Sequence, residues 1–291
     1  MFFGSIPALV TPFEAGRVAE DTFRDFVEWQ IGEGSSALVP CGTTGEVATL
    51  TADEHRHVIA AAVEVATGRV PVIAGCGTYS TEHSIERTRA AADLGADAAL
   101  VVVPYYNKPS QEGLAAHFLA IAEASPLPIV VYNVPSRTVA DISVETLAKI
   151  SAHPRIAAIK DATGNLARVS AQRLACGEKF IQLSGNDHMA LGFNAMGGVG
   201  CISVTANVAP KLCSEFQKAT REKRWDDALK LQDKLYPLHA ALFTDASPAP
   251  TKYALSRVRP GFPTELRLPL VEASTASKRA VDAALEHAGL M

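Results

Sequence analysis

In "AAIKDATGN", residues 157–165, an apolar run ends in Lys160 and passes at once into a turn of small polar residues. A lysine so placed admits two readings. Its four-carbon stem allows the ammonium to snorkel to solvent. Alternatively, apolar walls disfavour the charged form and leave a neutral amine that can attack a carbonyl carbon and form a Schiff base. Such surroundings matter, because an ordinary lysine with a pKa near 10.4 is neutral in only about one molecule in two thousand at pH 7. Ala157, Ile159 and the neighbouring strands are expected to supply them. Imine chemistry also moves protons onto a departing water and off the substrate α-carbon, work that a phenol linked to hydroxyls can do. Tyr132 in "PIVVYN" and Thr43 in "CGTTGE" are groups of that kind. A structural tyrosine bonded to a backbone carbonyl is the plain alternative for Tyr132.

"CGTTGE" lacks the G-K-[ST] that sets a lysine on phosphates. It reads better as a cradle for a small carboxylate, with glycines letting backbone N–H groups converge and Thr43 and Thr44 adding hydroxyls; a simple turn is the other reading. Arg137, in "NVPSRT", either offers its planar fork to a second carboxylate or pairs with Asp141. His55 and His57 in "DEHRH" do not make H-E-x-x-H and are read as a solvated helix face, not a metal site. G-x-S-x-G is absent, so serine-hydrolase chemistry has no anchor.

These residues need a frame that brings them together. Eight short apolar runs recur along the chain, at residues 6–10, 37–39, 70–75, 98–103, 128–133, 156–160, 180–185 and 200–204. Most are continuously apolar, the pattern of parallel strands covered on both faces. Helical signals lie between them. Thr51 and Glu54 form a T-x-x-E capping box with Gly68 beyond, another segment ends at Gly95, and a third begins at Ser110 and stops before Pro126. Eight such alternations predict a (β/α)8 TIM barrel; the runner-up, a doubly wound open sheet, would want G-x-G-x-x-G after its first strand. The barrel core is assigned to residues 1–208 and a closing helix with a C-terminal helical extension to 209–291. In a barrel the polar residues ending the strands share one mouth, which is where the candidate residues fall.

Composition narrows the rest. With 291 residues, 48% hydrophobic, 20% charged and a formal net charge of −4, the chain suits one large globular enzyme and carries no basic field for nucleic acid. Five cysteines without a C-x-x-C pair suggest neither a disulfide framework nor a zinc knuckle, and a cytoplasmic setting is expected. Apolar runs stay far below the ~18 residues a membrane span needs.

The ordered set "GTTGE", "YYNKPSQEG", "YNVPSRT", "IKDATGN", "LSGND" and "ISVTANV" resembles the dihydrodipicolinate synthase branch of the pyruvate-dependent Schiff-base aldolase and lyase family. The likeness covers nearly the whole chain. It implies condensation of pyruvate with L-aspartate 4-semialdehyde toward diaminopimelate and lysine, without cofactor or metal. By the same resemblance Lys160 forms the imine, and Tyr132, Thr43 and Tyr106 relay protons, Tyr106 coming from a neighbouring subunit of a homotetramer built as a dimer of dimers. Thr44 holds the pyruvate carboxylate, Arg137 the semialdehyde carboxylate, and Gly185 and Ile202 line the site. Relatives using the same lysine, the N-acetylneuraminate lyases and keto-deoxy sugar acid aldolases, take longer polyhydroxylated substrates, and Arg137 favours the dicarboxylate. A non-catalytic metabolite-binding barrel is the remaining alternative. Many relatives also bind lysine as a feedback inhibitor at positions matching Val47, Ala48, Ala52, His55, Tyr79, His83 and Tyr105. Here Ala52 replaces a histidine, Tyr79 an asparagine and His83 a glutamate, so weak or absent inhibition is expected.

Overall fold

The computed structural model describes residues 2–291. Seven parallel strands form one curled sheet, in the order β1 (Gly4–Pro7), β9 (Gly200–Ser203), β8 (Ile181–Ser184), β7 (Ile156–Asp161), β6 (Ile129–Asn133), β5 (Ala98–Val102) and β4 (Ile73–Gly75). The run around Leu38 closes it, bridging Ala8 to Val39 on one side and Leu38 to Val72 on the other. Hydrogen bonds from Leu9 N–H to the Val39 carbonyl (2.9 Å) and from Ile73 N–H to the Leu38 carbonyl (2.8 Å) complete the ring. The architecture is therefore a closed α/β TIM barrel. The second stave, expected over 37–39, is reduced to these bridges, since Pro40 offers no N–H to extend the ladder. A short antiparallel hairpin, β2 (Phe13–Glu14) with β3 (Arg17–Val18), lies outside the barrel sheet.

The core has two parts, because successive residues of a strand point to opposite faces. Ile6, Val39, Ile73, Leu100, Val130, Leu183 and Ile202 fill the barrel. Val101, Val131 and Ile159 turn outward and pack with helix residues such as Phe118, Ile121 and Leu147. Both faces of each strand are dry, which explains the unbroken apolar runs.

The helix Ala52–Ala66 begins with the expected capping box: Glu54 N–H donates to Thr51 Oγ1 (3.2 Å) and Thr51 N–H to Glu54 Oε2 (2.9 Å). Ser80 caps Thr81–Asp93, Ser110 caps Gln111–Ala124, and Gly68 and Gly95 take positive φ just beyond their helices. After residue 208 come Pro210–Arg221, packed on β1, and then Trp225–Ala241, Ala249–Val258 and Thr275–Ala288. All five cysteines are free. Among the described residues no helix is long and apolar enough to cross a membrane.

Candidate active site

Strand register puts the lysine and the tyrosine together. Lys160 pairs across β6–β7 with Tyr132, and its Nζ lies 4.1 Å from the centroid of the Tyr132 ring. This depends on an irregularity at the start of β7. Ile129 pairs with Ile156, but Val130 pairs with Ala158, so Ala157 is an inserted residue. Ile156 faces the helices, and without the insertion strict alternation would point residue 160 outward as well. With it, Ala158 turns into the barrel and Lys160 follows. Ile159, expected beside the amine, is instead on the helix-facing side. Among the described residues no carboxylate lies within ion-pair distance of Lys160.

The strand end that carries Lys160 is fixed from outside the barrel. The buried Asp161 carboxylate accepts from Thr163 N–H (2.8 Å), Thr163 Oγ1 (2.6 Å), Gln172 Nε2 (2.7 Å) and Arg168 Nε (3.3 Å). Gly185, just past β8, donates its N–H to the Asp161 carbonyl (2.7 Å), and a Cβ there would stand 2.7 Å from that of Ala162. Only glycine lets β8 approach β7 so closely. Leu183 pairs with Lys160, and Ile202 fills the barrel nearby.

The "GTTGE" loop follows the second stave. Its Gly45 and Glu46 N–H groups donate to the Gly42 and Thr43 carbonyls (3.1 Å each), so its own turn consumes them. The donors left for a ligand are the Thr43 and Thr44 N–H groups and hydroxyls, an arrangement suited to a carboxylate. Thr44 is buried, whereas Thr43 is exposed at the mouth. Arg137 sits on the short helix Pro135–Thr138 that follows β6. Asp141, its alternative partner, is taken by Asn133 Nδ2 (2.7 Å) and Arg168 (3.4 Å), which leaves Arg137 on the wall of a cavity.

That cavity, of about 830 Å³, runs from the mouth outward between Ala52–Ala66 and Thr81–Asp93. Thr43 and Arg137 stand at its inner end; Lys160 and Tyr132, 6% and 7% exposed, are not on its wall and lie deeper in the barrel. Val47, Ala48, Ala52, His55, Tyr79, His83 and Tyr105 all line it, with the Tyr79 and Tyr105 rings 5.4 Å apart at 88°. His55 corrects the expectation of a solvated face: it is buried, and its Nε2–H donates to the Gly75 carbonyl (2.8 Å). Burial pushes its pKa down to about 4. His57 does reach solvent and pairs with Glu20 (2.6 Å). Tyr106 is 96% exposed, and this chain does not bring it to Tyr132.

Of the seven non-glycine residues with positive φ, five (Cys41, Glu46, Tyr106, Lys108 and Val139) sit on loops at the mouth. Such backbone costs of order 1–3 kcal/mol per residue and gathers where a site needs it.

The dihydrodipicolinate synthetase family matches residues 1–288. This chain belongs to that family. It is 65% identical to a 4-hydroxy-tetrahydrodipicolinate synthase from Zymomonas mobilis, with both chains fully covered. Among solved structures it is similar to a dihydrodipicolinate synthase from Acinetobacter baumannii complexed with pyruvate (44% identity, TM-score 0.97, both chains fully covered). A family structure from Cyanidioschyzon merolae with lysine bound has 37% identity and a TM-score of 0.95, with 99% of each chain covered.

Proposed function

We infer that this chain is a lyase condensing pyruvate with L-aspartate 4-semialdehyde through a lysine Schiff base to give 4-hydroxy-tetrahydrodipicolinate, the first committed step toward diaminopimelate and lysine. Its similarity to synthases of that name supports the reaction. The observation that carries the mechanism is Lys160 Nζ facing Tyr132 inside the barrel with no carboxylate beside it.

In this reading Lys160 attacks the pyruvate keto carbon, and water leaves as the imine forms. Tyr132 and Thr43 carry the protons, joined by Tyr106 of a neighbouring subunit. Loss of a methyl proton gives an enamine, whose carbon adds to the aldehyde of the second substrate. The amino group of that substrate then closes on the imine carbon and releases Lys160. The iminium nitrogen is the electron sink, so the chemistry calls for no cofactor or metal. Thr44 holds the pyruvate carboxylate, Arg137 that of the semialdehyde, and Gly185 and Ile202 bound the pocket.

A homotetramer built as a dimer of dimers belongs to the same proposal, supported by the bare Tyr106 ring at the mouth. So do a cytoplasmic location, in line with five free cysteines, and the division into a barrel core over 1–208 and an extension over 209–291. Turnover assays test the substrate pair. Rapid pyruvate consumption is expected with L-aspartate 4-semialdehyde and little with polyhydroxylated aldehydes; the reverse preference points to a sugar-acid aldolase, and no turnover to a binding barrel.

A further inference from the structure

Lys252, on Ala249–Val258 in the C-terminal extension, is fully buried, and so is Glu46 of the threonine loop, 206 residues away. Lys252 Nζ donates to Glu46 Oε1 (2.6 Å) and to the Glu265 carbonyl (2.7 Å), while Glu46 Oε2 accepts from Arg267 N–H (3.1 Å). The Arg267 side chain donates to the Thr49 carbonyl (2.9 Å) and to Glu54 Oε2 (2.7 Å), just beyond Glu46 in the chain. The Phe13 ring packs against both, its centroid 4.4 Å from Lys252 Nζ and 4.3 Å from the Arg267 guanidinium.

A buried ion pair is a poor device for stability, since apolar residues of similar volume often do as well. It does fix a direction. Cys41 and Glu46 bracket the loop with φ of 56° and 54°, and a Cβ at Gly45 would come within 2.9 Å of the Leu9 carbonyl oxygen. A loop so strained keeps one shape only if something outside holds it. Resting on the roles given above to Thr43 and Thr44, we propose that Glu46, Lys252 and Arg267 form a clamp by which the C-terminal extension positions the threonine loop. Lys252 and Glu46 are then positioning residues for the reaction, and the extension is part of the active-site apparatus. Burial pushes the Lys252 ammonium pKa down against the pull of Glu46, so each member depends on the other.

The test counts turnover per competent site. Glu46→Gln, Lys252→Met and Arg267→Met are titrated with pyruvate and borohydride to count labelled Lys160, and kcat is expressed per labelled site. At saturating pyruvate each variant is expected to label once per chain. Half-labelling should need more pyruvate, and kcat per labelled site should fall at least tenfold for Glu46→Gln and Lys252→Met and at least threefold for Arg267→Met. A lower Tm with kcat per labelled site within twofold of the unaltered protein overturns the clamp. If the two buried variants do not fold, the partly exposed Arg267→Met decides by the same criterion. Absence of label on the unaltered protein overturns the Schiff-base reading and the clamp with it; normal labelling with normal turnover overturns the clamp alone.

Discussion

Among the described residues neither Arg137 nor Lys160 has a carboxylate partner, and the semialdehyde brings a carboxylate of its own. Because Asp141 is already engaged by Asn133 and Arg168, the Arg137 fork is free for a ligand. Arg137→Ala is therefore expected to raise KM for the semialdehyde by ten- to a hundredfold, about 1.4–2.7 kcal/mol, while that for pyruvate changes less than threefold. Equal effects on both, in initial-rate measurements, would contradict its role. His83 carries a second expectation. It lines the outer cavity where lysine-sensitive relatives are expected to place a glutamate, and an imidazole gives a ligand's ammonium no counter-charge. Tyr79, edge-to-face with Tyr105, narrows the same wall, and His55 spends its Nε2–H on Gly75. L-Lysine should thus inhibit initial rates by less than half at 1 mM; half-inhibition well below that concentration would show that another group supplies the charge.

Elements were legible wherever one residue type sufficed to mark them. Seven of the eight barrel strands coincide with apolar runs, and Thr51, Ser80 and Ser110 start their helices where their side chains say they should. Thr51→Ala, which removes one half of the capping box, should lower unfolding free energy by ~1 kcal/mol in urea titrations. What the sequence concealed needs either parity or distance. The inserted Ala157 leaves no trace in a run apolar on both faces, yet it decides that Lys160 points inward. The hairpin β2–β3 is two residues a side, too short for any pattern. His55 looked solvated from its charged neighbours, but its helix face packs on the end of β4. Glu46 stood in the quoted motif without a role, because its partner Lys252 comes from the far end of the chain.

At the scale of the whole molecule, acid should loosen the fold through its buried imidazoles. Burial pushes both His55 and His117 down to about 4, while in the unfolded chain each titrates near 6.5. As pH falls below 6.5 the unfolded state gains protons first, so stability is full above that value and declines until pH 4, by ~3 kcal/mol for each histidine. Urea midpoints should accordingly drop between pH 7.5 and pH 4.5, and constant midpoints would contradict the burial of these rings as neutral species. In the proposed relay Tyr106 comes from a neighbouring subunit, so Tyr106→Phe should lower kcat at least tenfold without changing the mass of the assembly by light scattering, whereas full activity would remove the shared relay. The chemistry of the mouth turns on one amine. Treatment of the protein with pyruvate and borohydride, followed by intact-mass measurement and peptide mapping, should show a single pyruvyl addition located at Lys160 and none in Lys160→Arg; label on another lysine, or no label at all, would contradict the Schiff-base mechanism directly.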